Sequence, residues 1–94
     1  MKREQVEACV IRALAKLAVR PGFTPSSIGL HHHIVLDLGL TSMSLVDLLH
    51  EVEDGLAIRD FPMQNWIDSE RARNEYGFRV RSLVDFCMQL VGEP

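Results

Sequence analysis

The chain has 94 residues, of which 47% are hydrophobic, and 13 acidic against 10 basic side chains give a formal net charge of −3 at pH 7. That length makes one small domain with a single modest core, and that apolar share excludes wholesale disorder. The mildly acidic balance argues against a nucleic-acid binder, which carries a basic balance or stripe, and the longest apolar runs fall far short of the ~20 residues of a membrane span.

From about Arg3 to Val19, the residues Val6, Cys9, Val10, Ala13, Leu14 and Leu17 recur at three- and four-residue steps, the period of one helix face. Charged residues lie mostly off that face. This mixture carries no signal-peptide pattern, so a cytoplasmic protein is expected. Pro21-Gly22 then stops the helix. The connection from Pro21 to Thr41 is too long for a plain turn, and Phe23, Ile28, Leu30, Ile34, Leu36 and Leu38 pin it to a core. Thr24-Pro25-Ser26-Ser27 can cap a short helical turn within it.

A second helix is predicted from Ser42 to Gly55, with Thr41 as N-cap, an apolar stripe of Leu45, Leu48, Leu49, Val52 and Leu56, and Gly55 at its stop. Its acids, Asp47, Glu51, Glu53 and Asp54, face no Lys or Arg in the same stretch. Between Arg59 and Arg79, Asp60-Phe61-Pro62 reads as a helix start with Asp60 as cap. Met63, Trp66 and Ile67 give a short apolar face there, and Tyr76-Gly77-Phe78 closes the segment. The last helix spans about Val80 to Val91, with Val80, Leu83, Val84, Cys87, Leu90 and Val91 as its stripe. No run alternates with a two-residue period, so the expected fold is an all-α bundle of three main helices and one short helix, without a sheet.

Ser42 is the residue with the clearest chemical promise. It stands at a helix N-terminus beside backbone N–H groups that have no partner within the helix, a place that favours phosphate. The plain alternative is an ordinary helix-start serine. The run Asp37-Leu38-Gly39-Leu40-Thr41-Ser42-Met43, followed by Leu45-Val46-Asp47-Leu48-Leu49 and Glu51-Val52-Glu53-Asp54, resembles the attachment site of acyl carrier proteins. Phe78-Arg79-Val80-Arg81-Ser82-Leu83-Val84-Asp85-Phe86 is similar to that family's last-helix start, and the resemblance covers nearly the whole chain as one domain. It implies an acyl-carrier-like four-helix bundle with a long loop between helices 1 and 2. It also implies 4'-phosphopantetheine attached covalently to Ser42, with Asp37, Gly39, Thr41 and Met43 around the attachment. A phosphopantetheinyl transferase, using Mg²⁺, would supply the arm from coenzyme A. The arm's thiol would then carry acyl groups as thioesters to loading, condensing or tailoring enzymes. Ser44, Asp47, His50, Glu51 and Asp54 would form the face these partners recognise, acids meeting basic patches.

Three departures bear on the pathway. Thr41 stands where many fatty-acid carriers have aspartate, arginines crowd the C-terminal third, and the Arg59–Arg79 connection is longer than in the fatty-acid type. Leu38-Gly39-Leu40-Thr41-Ser42-Met43 is more similar to polyketide-type or other specialised carriers, and the longer connection, with Trp66, resembles some discrete carriers of amino acids or unusual acyl groups. An aminoacyl or peptidyl carrier loaded by an adenylating ligase is the nearest alternative, and an unmodified helical interaction module is another.

No nucleophile–base–metal constellation marks the chain as an enzyme. A serine without a base is a weak nucleophile, and His50 lies two turns away. The protein is therefore expected to be a monomeric substrate and shuttle. His31-His32-His33 cannot easily converge on one ion and reads as polar loop. Cys9 and Cys87 read as reduced buried thiols, with a disulfide between them also compatible with the sequence. Trp66 and Tyr76 read as packing residues. The arginine pairs 71/73 and 79/81 read as solvated, or as an interface with an acidic partner.

Overall fold

The apolar stripes supply the buried faces of four helices, except that Leu90, read as part of the last stripe, is 42% exposed near the end of its helix. The computed structural model describes residues 1–18 and 22–92. Among them lie α1 (Arg3–Leu17), α2 (Ser42–Gly55), α3 (Met63–Ala72) and α4 (Val80–Val91), with a 3₁₀ turn at Asn74–Tyr76 and no strand. Val6, Val10, Ala13 and Leu14 of α1 meet Leu45, Leu48, Leu49 and Val52 of α2 and Val80, Leu83, Val84 and Cys87 of α4 in one core. The architecture is an all-α four-helix bundle in which α1 packs against both α2 and α4. No described helix is long and apolar enough to cross a membrane.

The limits of α2 and α4 match the sequence reading. α1 ends at Leu17 with Ala18 as its C-cap, and the expected extension to Val19 and the stop at Pro21 lie outside the described residues. Thr24–Ser27 forms one turn: Ser27 and Ile28 N–H donate to the Thr24 carbonyl, and the Thr24 N–H donates to Ser27 Oγ. Cys9 and Cys87 are both free thiols. Cys87 is buried, which pushes its thiol pKa up to about 12; Cys9 is half-buried and raised by the same cause.

The start of α3 differs from expectation. Asp60 is not its cap; Pro62 holds the N-cap position and Met63 opens the helix. The chain reverses between α2 and α3 through Ala57 and Asp60, both in the left-handed region with φ of 53° and 52°. Asp60 thus serves the turn with its backbone, a conformation that aspartate tolerates better than most residues. The carboxylate that holds this entry is Glu53, whose Oε2 accepts the Phe61 N–H at 2.8 Å.

α3 anchors through Trp66, 1% exposed, whose ring meets Phe78 edge-on at 5.7 Å between centroids. Tyr76, expected to pack, is 69% exposed instead because the 3₁₀ turn carries it outward. The chain then turns into α4 at Gly77, where Glu70 is decisive. Its buried carboxylate accepts the Phe78 N–H at 3.0 Å and lies 3.4 Å from Arg73 Nη1. Gly77 presses so closely on α3 that a Cβ would collide with the Glu70 carbonyl oxygen, a backbone atom that cannot step aside. We expect Gly77→Ala to destabilise the fold by more than about 1 kcal/mol, a fall in Tm of roughly 4–8 °C or more. A thermal melt followed by circular dichroism checks this, and an unchanged Tm would show that the α3–α4 corner has slack.

Candidate functional site

The site is built from the end of the long loop. Ile34, Leu38 and Leu40 are buried, which fixes alternate sides of the 34–40 segment to the core. Between them the backbone folds into a tight knot around His33. The His33 carbonyl accepts from Asp37 and Leu38 N–H at 2.9 and 3.2 Å, and the His33 N–H donates to Asp37 Oδ2 at 2.7 Å. His33 Nδ1 accepts from Val35 and Leu36 N–H at 3.1 and 3.0 Å. His33 is therefore buried and structural, not a surface loop residue as its tract implied. Two inward-facing amide donors require an unprotonated acceptor nitrogen, a demand that three consecutive histidines do not advertise.

Gly39 follows with φ of 80°, a conformation L side chains rarely adopt, and its N–H donates to the Val35 carbonyl at 3.0 Å. Thr41 then caps α2, its Oγ1 accepting the Ser44 N–H at 3.2 Å. Ser44 Oγ lies 3.0 Å from the same Thr41 oxygen, so Ser44 belongs to the cap as well as to the helix surface. Ser42 is the first residue of α2 and is exposed, and its hydroxyl makes no hydrogen bond among the described residues. With the Ser44 amide taken by Thr41, the Ser42 and Met43 amides are the free donors of the first turn.

Beside Ser42 opens a cleft of about 440 Å³. Val35, Leu40, Leu45, Ile67 and Phe78 give it an apolar lining, and Thr41, Ser42 and Arg71 supply the polar groups. Arg71, read from sequence as a solvated cation, lines the cleft with the serine and has no ion pair among the described residues. Its position depends on α3 folding back toward α2, which no local pattern encodes.

The outward face of α2 begins with Met43, 81% exposed. Asp47, His50, Glu51 and Asp54 are also exposed. Glu51 lies 3.2 Å from Lys16, and His50 lies 3.7 Å from Glu53; Asp47 and Asp54 have no ion-pair partner among the described residues. Leu36, expected to pin the loop to the core, is instead 66% exposed, and Val46 on this helix is an exposed apolar residue as well. The signal for Val46 was present: it falls outside the buried stripe of Leu45, Leu48, Leu49 and Val52. His50 is eight residues from Ser42, about 12 Å along the helix, too far to activate its hydroxyl. No group of three His, Cys, Asp or Glu among the described residues is placed to hold a metal ion. A larger groove, about 530 Å³ and lined by Cys9, Arg12, Lys16 and Glu51 among others, shares no residue with the Ser42 cleft.

The arrangement offers an accessible hydroxyl with free amide donors, an apolar cleft and one cation, and no base to make the serine attack by itself. The fold thus defines a small helical bundle that presents a serine at a helix N-terminus. Comparison with protein-family models, with curated proteins and with solved structures finds no match to this chain.

The knot carries a pH dependence. Burial holds the His33 pKa below its ordinary value of 6.5, the Arg79 charge pushes it the same way, and Asp37 opposes them. The hydrogen bond from the His33 amide, chiefly, holds Asp37 below 3.8. In both cases the unfolded chain binds the proton more readily. Stability is therefore complete above the unfolded pKa and falls as pH drops through the lowered folded one, with the His33 contribution lost first. We expect His33→Ala to cost about 1–3 kcal/mol at neutral pH, by orphaning two buried amides, and to flatten the decline in stability below about pH 6.5. Urea melts across pH check this. An equal slope in the variant would assign the titration to another group.

Proposed function

We propose that this chain is a carrier protein, modified on Ser42 Oγ with 4'-phosphopantetheine. The observation that carries the reading is the exposed Ser42 hydroxyl at the start of α2, between free amide donors and an apolar cleft. The residues fit the group. A phosphodiester on Ser42 is an anion, and the helix N-terminus and the Arg71 guanidinium both favour one there. The cleft gives the arm and its cargo an apolar surface to rest on. When bound, the group supplies a thiol that holds an acyl chain as a thioester. This chain's residues then orient the arm and present it. Thr41 fixes the helix start, Gly39 and Asp37 shape the approach, and Met43 offers an apolar contact beside the serine.

The cargo we propose is an acyl intermediate of polyketide-type or other specialised biosynthesis, on the strength of Thr41 before the serine. Modification from coenzyme A by a phosphopantetheinyl transferase sets this work in the cytoplasm. Loading, condensing or tailoring enzymes then meet the α2 face. Asp47 and Asp54, without an ion-pair partner among the described residues, would pair with basic groups on those enzymes, which acts mainly on encounter rate and selectivity.

Intact-protein mass after incubation with coenzyme A, Mg²⁺ and a promiscuous transferase tests the reading. Wild type should gain one phosphopantetheine, and Ser42→Ala should gain none while keeping its helicity and Tm. Modification persisting in the variant would move the site. No gain on folded wild type with several transferases would favour an unmodified interaction module. For the α2 face, Asp47→Lys with Asp54→Lys should slow modification about tenfold at low salt and less at high salt, with little change in Tm. Equal rates at low salt would remove the acids from recognition.

A further inference from the structure

A second surface lies on the other side of residues 78 and 79. Phe78 lines the Ser42 cleft, whereas Arg79 lines a separate pocket of about 410 Å³ with Arg73, Arg81, His31 and Tyr76. That pocket shares Arg73, Ser82 and Asp85 with an adjoining cleft of about 330 Å³ that reaches Trp66 and Gln89. Together they make a groove along α3 and α4. Its acids are already engaged: Asp85 pairs with Arg3 at 2.8 Å, and Glu70 pairs with Arg73 at 3.4 Å. Arg79 is held by neutral acceptors, the His31 and Glu75 carbonyls, both at 3.1 Å, so its charge is positioned but not neutralised. Arg81 has no side-chain partner among the described residues. The groove is thus basic on a chain whose net charge is −3.

We propose that this groove docks an acidic segment of a partner protein. Three features select that occupant. The donors do not converge on one point. Arg73 faces Ser82 and Glu70, Arg79 faces two carbonyls, and the first amides of α4 are spent on the His32 and Leu30 carbonyls. Positive charge is therefore spread along a groove, which suits several carboxylates in a row better than a single small anion. Tyr76 stands exposed beside the arginines, and aromatic residues with arginine are the enriched pair at protein interfaces. The net negative charge of the whole molecule disfavours a nucleic-acid backbone. The proposal does not depend on modification of Ser42.

The test uses the full chain, a fluorescein-labelled octaglutamate peptide at low salt, and anisotropy with amide chemical-shift mapping. Tyr76→Ala with Arg81→Glu changes two exposed side chains that hold no part of the fold. Arg12→Glu makes the same charge change on α1, in another groove. Saturable shifts confined to residues 30–32 and 73–82, with at least tenfold weaker binding in the double variant and less than twofold in Arg12→Glu, are expected. Four results would overturn the proposal. Arg12→Glu could weaken binding as much as the double variant, which would mean nonspecific attraction. Inorganic pyrophosphate could bind the groove as tightly as the peptide, which would mean a small-anion site. A labelled oligothymidylate could bind more tightly than the peptide. Concentration-dependent shifts at 76–82 without any probe would put a second copy of the chain in the groove.

Discussion

Three backbone hydrogen bonds join the long loop to the start of α4, and much of the molecule is arranged around them. Ile34 N–H donates to the Phe78 carbonyl at 2.7 Å, Val80 N–H to His32 at 3.0 Å, and Arg81 N–H to Leu30 at 2.9 Å. α4 has no side-chain cap at Arg79. Its first amides are satisfied by the loop, which is a tertiary contact in place of a local one. The loop gains as much: a segment of more than a dozen residues without a helix must place its polar backbone somewhere, and here α4 accepts part of it. Consequently the N-termini of α2 and α4 are built as one unit.

That unit carries backbone strain at Phe78, whose φ of 56° is unusual for a bulky side chain. Such a conformation costs on the order of 1–3 kcal/mol and persists only when its surroundings over-determine it. Here they do. The Glu70 carboxylate takes the Phe78 amide, Ile34 takes its carbonyl, and its ring lies against both Trp66 and His33. The return for this strain is directional. Phe78 turns to the Ser42 cleft and its neighbour Arg79 to the arginine groove.

Periodic features were legible from sequence, and features made by distant hydrogen bonds were not. α2 could be bounded because stripe, cap and stop agree along it, with Thr41 capping through a bond only three residues long, and α4 because its stripe is long and regular. The Asp60 cap failed because Asp60 was asked to serve a helix when the sharper local need was a left-handed turn. His33 and Glu70 were not recognised as buried because each is paid for by amides that the sequence does not mark as partners. Arg71 is the instructive case at the site. Its helix was anticipated and its charge was obvious, but its place in the same cleft as Ser42 follows only from how α3 closes on α2.

The division of charge between two faces has a physical consequence. The α2 face presents Asp47 and Asp54, and the α3–α4 groove Arg79 and Arg81, each without an ion-pair partner among the described residues. Electrostatic steering acts over roughly one Debye length, about 8 Å at physiological ionic strength. Two patches of opposite sign can therefore orient different partners separately on a molecule of 35 × 29 × 20 Å. The field of the α2 face favours basic groups, and that at the start of α4 favours acidic ones. Both helix starts are fixed by the same loop, through the Phe78–Ile34 hydrogen bond and the 34–40 knot.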